Sequence, residues 1–288
     1  MRYYIFIIAI IISSCTSKQN TNSRPLVAVS IVPQEYFVRN IADTLVDVMI
    51  LVEPGSSPEL YELRAAQMAK LSQASAWLGI GEIDFELSWK TKILESNPNL
   101  LFFNCSKEVN IIASEIVNHG DHQHKHGVDP HTWTSAKEGL KIAHESYLAL
   151  CKLLPEHHEL LQQNYRALCS EIEALDQEIE QILSSSTNKN FLIFHPSLGY
   201  FARDYGLTQI PLEIEGKEPS PKYIQEFIQQ SKDLNLNKIL IQKEFSKSIA
   251  NQLSKEINGE VIEINPLGSN WAAELINIAH IISNSSKQ

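Results

Sequence analysis

Cysteine, methionine and glycine are scarce: 4, 3 and 11 in 288 residues. No pair of cysteines stands as CxxC, so a cysteine-built zinc site is excluded. With Cys15 set aside, Cys105, Cys151 and Cys169 are odd in number and irregular in spacing. They imply no disulfide framework and read as small buried hydrophobes. Positive charge is also short, with 24 Lys and Arg against 34 Asp and Glu and a net charge of -10. Without a basic stripe to neutralise phosphates, a nucleic-acid partner is excluded. The HExxH pattern of zinc hydrolases is absent, and so is a carboxylate beside a candidate histidine to act as general base. What remains is ordinary globular material, 43% hydrophobic and 20% charged, long enough for two domains.

The first residues stand apart. Arg2 precedes Tyr-Tyr-Ile-Phe-Ile-Ile-Ala-Ile-Ile-Ile, then Ser13-Ser14-Cys15. This run is shorter than the roughly 20 residues that span a bilayer and has the form of a signal-peptide core. Ile12-Ser13-Ser14-Cys15 resembles a bacterial lipobox, which implies removal of residues 1–14 and acylation of Cys15. Polar residues 15–25 then read as a tether.

Further along, short apolar runs alternate with helical spacing. Residues 26–32, 46–52, 76–80 and 100–103 read as strands, with helices at 34–43 and 65–74 between them. Such a rhythm predicts an open parallel sheet covered by helices. Ser135 is a plausible N-cap for a helix reaching Leu153. From Pro155 to Leu183, apolar residues at Leu160, Leu161, Leu168, Ile172, Leu175, Ile179 and Ile182 predict one long amphipathic helix. At 1.5 Å per residue it spans about 40 Å, the length of a strut between domains. Strand patterns restart at 191–194, 238–241 and 260–264, and residues 271–282 close the chain as a helix. The predicted architecture is α/β: two open parallel-sheet lobes, 26–154 and 187–288, joined by one long rigid helix within 155–186.

Three segments place possible metal ligands near strand ends or turns: Glu59 after Pro54-Gly55, His131 in Asp129-Pro130-His131, and His195 after the strand at 191–194. Ligands in open α/β folds gather at the carboxyl ends of strands. Imidazole nitrogen suits zinc, and a carboxylate can complete its shell. His119, His122, His124 and His126 crowd one low-complexity loop, which can be a solvated segment or a weak metal collector. His157, His158 and His280 read as surface residues without partners.

These residues carry a resemblance. Asp129-Pro130-His131-Thr132-Trp133, the stretch His195 to Leu207, Lys217-Glu218-Pro219-Ser220-Pro221 and Asn265-Pro266-Leu267-Gly268 are similar to motifs of the zinc and manganese solute-binding proteins of ABC importers. A histidine-rich loop between the first two ligand motifs is typical of zinc members. The resemblance covers the chain from Val27 to the closing helix. It implies capture of a divalent metal between two lobes, zinc ahead of manganese, and delivery to a permease and its ATPase. It also implies an extracytoplasmic, lipid-anchored monomer whose lobes move little. Glu59 and His131 come from the first lobe and His195 from the second. Three departures stand out. Glu59 occupies the usual position of a histidine, and Asn265 that of the aspartate serving many members as fourth ligand, with Glu263 or water as substitutes. Glu62-Leu63-Arg64-Ala65 replaces a proline-containing stretch, which implies a looser loop. Alternatives of other classes are a lipid-anchored surface adhesin, marked by metal-independent binding to a macromolecule, and a zinc hydrolase, marked by turnover.

Overall fold

A computed structural model describes residues 24–113, 127–213 and 219–284. Cys15, the four loop histidines and Lys217-Glu218 lie outside the described residues.

Four parallel strands build the first lobe: β1 (Leu26–Val29), β2 (Asp47–Ile50), β3 (Ala76–Gly79) and β4 (Leu101–Asn104), in the order β2-β1-β3-β4. A parallel sheet is covered on both faces, so its central strands are continuous apolar runs; all four residues of β3 are buried. The crossovers contain α1 (Pro33–Ala42), α2 (Ala65–Leu71) and α3 (Asp84–Ser96). α4 (Ala136–Leu153) follows, and Ser135 caps it by accepting the Glu138 N–H at 3.2 Å.

After a short turn at Pro155–His157 comes α5 (His158–Ser184), 27 residues long. Its buried stripe is Leu161, Leu168, Ile172, Leu175, Ile179 and Leu183. Leu160, counted with that stripe in the sequence, faces solvent instead. No helix among the described residues is long and apolar enough to cross a membrane.

The second lobe repeats the pattern with β5 (Asn190–Ile193), α6 (Gly199–Asp204), β6 (Thr208–Pro211), α7 (Pro221–Asp233), β7 (Lys238–Gln242), α8 (Ser248–Glu256) and β8 (Glu260–Ile264), in the order β6-β5-β7-β8. β6 reads Thr-Gln-Ile-Pro, a strand too short and too close to proline to be announced by the sequence pattern; it sits at the sheet edge, where proline is tolerated.

α9 (Trp271–Ser283) ends the described chain. It packs along α5, and its Trp271 indole lies 4.9 Å from Phe37 and 5.3 Å from Tyr36, both on α1 of the first lobe. The closing helix, numbered with the second lobe by sequence order, therefore buries its first residue against the first. Close approach also requires Gly139 on α4, where a Cβ would stand 2.5 Å from the Trp271 ring.

One apolar core runs from the first sheet through Trp133, α4, α5 and α9 to Phe191, Ile193, Tyr200 and Phe201 of the second lobe. Leu192, between Phe191 and Ile193, points the other way into a smaller core with Ile210, Phe227 and Ile239. The lobes thus share a core on one side of the second sheet. Of the cysteines, Cys105 is buried, whereas Cys151 and Cys169 are half-buried; all three are free. His158, expected to lack a partner, has its Nε2 3.3 Å from the Tyr147 hydroxyl.

Candidate metal centre

Each of the three segments singled out in the sequence is held by its own support. The Glu59 segment leaves β2 through Gly55, whose φ of +83° turns the chain cheaply. The Glu59 N–H donates to Ser57 Oγ at 3.3 Å, and Pro58 O accepts from Phe85 N at the start of α3. The following stretch, expected to be loose, is fixed. Gln67 accepts from Arg64 N, donates to Leu51 O at 2.9 Å and bonds the Tyr61 hydroxyl, while Arg64 pairs with Glu53. A side-chain network supplies the restraint that proline supplies elsewhere.

His131 lies between β4 and α4. The Asp129 carboxylate accepts from His131 N at 2.9 Å and meets its Nδ1 at 2.8 Å. Backbone and ring are therefore fixed by the same oxygen, more than by the proline between them. The Tyr200 hydroxyl of the second lobe donates to Asp129 O at 2.7 Å and accepts from Ile112 N.

His195 sits two residues past β5. The strand order reverses between β5 and β7, and the crevice outside such a reversal is where open α/β sheets bind ligands. Gln242, the last residue of β7, donates from Nε2 to His195 O and to Ser197 Oγ, both at 2.6 Å. Phe245 lays its ring parallel to the imidazole at 5.2 Å. Glu213 Oε2, just past β6, lies 3.0 Å from His195 Nδ1.

The fold brings Glu59, His131 and His195 together, with one donor atom of each within 4.8 Å of the others. His195 Nε2 is 3.0 Å from Glu59 Oε1 and 3.2 Å from His131 Nε2. Both histidines are buried. A carboxylate beside each Nδ1 accepts a hydrogen bond from it, which turns each Nε2 toward the shared centre. The expectation that no carboxylate adjoins these histidines is corrected: Asp129 and Glu213 both do, but behind the rings, where they orient. Burial alone depresses His195; the hydrogen bonds it donates to Glu213 and Glu59 outweigh that and raise the pKa to about 9. Around neutral pH a proton on Nε2 therefore occupies the point that a cation would take.

The surrounding cleft is lined also by Ser57, Trp133, Glu244, Phe245, Pro266 and Leu267. About 30 Å³ of it is open to water, room for a small ion or a water and far less than an organic ligand needs. Asn265 donates its backbone N–H to Glu274 Oε1 at 2.7 Å; its neighbours Pro266 and Leu267 line the cleft, whereas Asn265 itself does not. Glu263 pairs with Lys247 at 2.7 Å on the surface. Nothing in the spacing pointed to Glu213, Gln242 or Glu244; each faces the site only because β5, β6 and β7 are neighbours.

Two parallel-sheet lobes, one connecting helix and a cluster of nitrogen and oxygen donors between the lobes define a two-lobed metal-binding protein. A family profile described as "Zinc-uptake complex component A periplasmic" matches residues 27–279, and the chain belongs to that family. Its members are transport binding proteins of the periplasm or cell surface, not enzymes. A protein of Chlamydia trachomatis serovar D, provisionally named for metal binding, is 31% identical over 94% of this chain and 95% of its own. The zinc-binding lipoprotein AdcA of Streptococcus pneumoniae serotype 4 is 25% identical over 91% of this chain, which spans 54% of AdcA. The crystal structure of a ZnuA superposes with a TM-score of 0.86 at 33% identity, covering 92% of this chain and 100% of that one. The periplasmic zinc-binding protein TroA of Treponema pallidum shares the fold, with a TM-score of 0.80 at 22% identity over 92% and 100% of the two chains.

Proposed function

We propose that this protein is the zinc-capturing component of an ABC importer, with Glu59, His131 and His195 holding the ion between the lobes until the permease receives it. The observation that carries this reading is the convergence of two Nε2 atoms and a carboxylate oxygen within 4.8 Å, with both Nδ1 atoms already engaged by Asp129 and Glu213. Imidazole-rich sets favour zinc over manganese, whose preferred donors are oxygens. Cys15 carries the lipid that tethers the protein, as a monomer, to the extracytoplasmic side of a membrane, at the periplasmic face or the cell surface. His119, His122, His124 and His126 collect zinc near the cleft.

The test is competitive metal titration of the protein from residue 25 onward beside its His195→Ala form. One tightly bound zinc, lost in the variant and not displaced by excess manganese, is the expected result. Binding that survives in His195→Ala but disappears when residues 119–126 are deleted would overturn the interlobe site.

A further inference from the structure

Tetrahedral zinc takes four donors, and the cluster supplies three. Of the two residues suggested by sequence for the fourth position, Asn265 does not line the cleft and Glu263 pairs with Lys247. Among the described residues, the cleft wall contains one further carboxylate besides Glu59, and it is Glu244.

The placement of Glu244 follows from the strand order. β7 runs beside β5, and the segment leaving β7 wraps the His195 side of the site. Gln242 grips the His195 carbonyl, Phe245 covers its ring, and Glu244 lies between them in sequence and on the same cleft wall. It is half-buried, so this carboxylate has given up part of its hydration in a place where a cation repays the loss.

We infer that Glu244 is the fourth donor group, turning onto the bound ion and closing its shell with a second carboxylate oxygen. This rests on the proposed Glu59–His131–His195 site and completes it. The set becomes two imidazole nitrogens and two carboxylate oxygens, a harder site than three histidines would give. It follows that the carboxylates, rather than a third imidazole, decide how far manganese is accepted.

The experiment loads the full chain with cobalt(II), whose visible absorption reports donor number and type, and measures zinc affinity by competition. Wild type, Glu244→Gln, Asn265→Ala and Glu263→Gln are compared. Glu244→Gln keeps size and removes the anionic donor. The expected result is a changed cobalt band and zinc binding weakened by about tenfold or more in Glu244→Gln alone, the scale on which lost metal-site support is felt. An unchanged band in Glu244→Gln overturns the inference even if affinity falls, because a remote charge weakens binding without altering the ligand field. A changed band in Asn265→Ala with an unchanged one in Glu244→Gln assigns the donor to Asn265. If wild type binds neither metal tightly, the three-residue site itself fails, an outcome separate from the other two.

Discussion

At the scale of single residues, the site is decided by what stands behind each histidine. A carboxylate on Nδ1 raises the basicity of the imidazole and holds its tautomer. Glu213→Gln and Asp129→Asn should each weaken zinc binding by about 10- to 100-fold, measured by competition with a chelating dye, while leaving the folded structure intact by circular dichroism. Protonation competes at the same atom. The folded-state pKa of His195, about 9, stands above the ordinary value near 6.5. Its contribution to stability of the metal-free protein is therefore fully present below pH 6.5 and is lost as pH rises through 9. Zinc affinity runs the opposite way, since the ion must displace that proton. It should fall about tenfold per pH unit on acidification below pH 9, with about one proton released per zinc at neutral pH. Calorimetry in buffers of different ionisation enthalpy counts that proton.

Elements show where packing overrides local preference. Gly139 lies inside α4, where alanine is ordinarily better by about 1 kcal/mol. Here a Cβ would collide with the Trp271 indole, so Gly139→Ala should destabilise by about 1–3 kcal/mol in denaturant unfolding, as overpacked cores do. Trp271 is held twice, its ring against Tyr36 and Phe37 and its Nε1–H donating to Trp133 O at 2.6 Å. Removing it as Trp271→Ala should cost about 3–5 kcal/mol, the range for large aromatic truncations. Trp133 in turn donates to Pro266 O at 3.0 Å. That link ties the His131 turn to the segment after β8, so the two walls of the cleft are coupled by two indoles. β6 and the α2 entry loop teach the same lesson from opposite sides. β6 is only four residues long and ends in proline, and it forms because β5 offers an edge. The α2 entry lacks proline and is rigid because Gln67 reaches three partners.

On the scale of the whole molecule, the lobes are joined by much more than α5. Arg203 pairs with Glu138, Ser135 bonds Asp204, Tyr200 reaches Asp129, and one apolar core passes through both lobes. Gly199 allows this docking: a Cβ there would collide with Asp129 Oδ2. Breaking such an interface to swing the lobes apart would expose buried aromatic surface, so zinc should act by small local adjustment. Small-angle scattering with and without zinc should give superimposable profiles, whereas the melting temperature should rise. At a free zinc concentration 100 times Kd the added stability is about 2.7 kcal/mol. A large change in radius of gyration would contradict the shared core.

The sequence by itself determined the alternation of strands and helices, the long amphipathic α5, the Ser135 cap and the three segments bearing Glu59, His131 and His195. Each is written in local periodicity, or in a short motif whose meaning does not depend on distant residues. Only the tertiary structure decided that these three donors meet, since His131 and His195 are 64 residues apart in the chain. It alone placed Glu213, Gln242 and Glu244 around His195, left Asn265 out of the cleft lining, and carried α9 back to the first lobe. The physical reason is that strand order and helix packing set those neighbours. Neither leaves a mark in the spacing of residues along one segment, because the free energy that selects them comes from surface buried between segments.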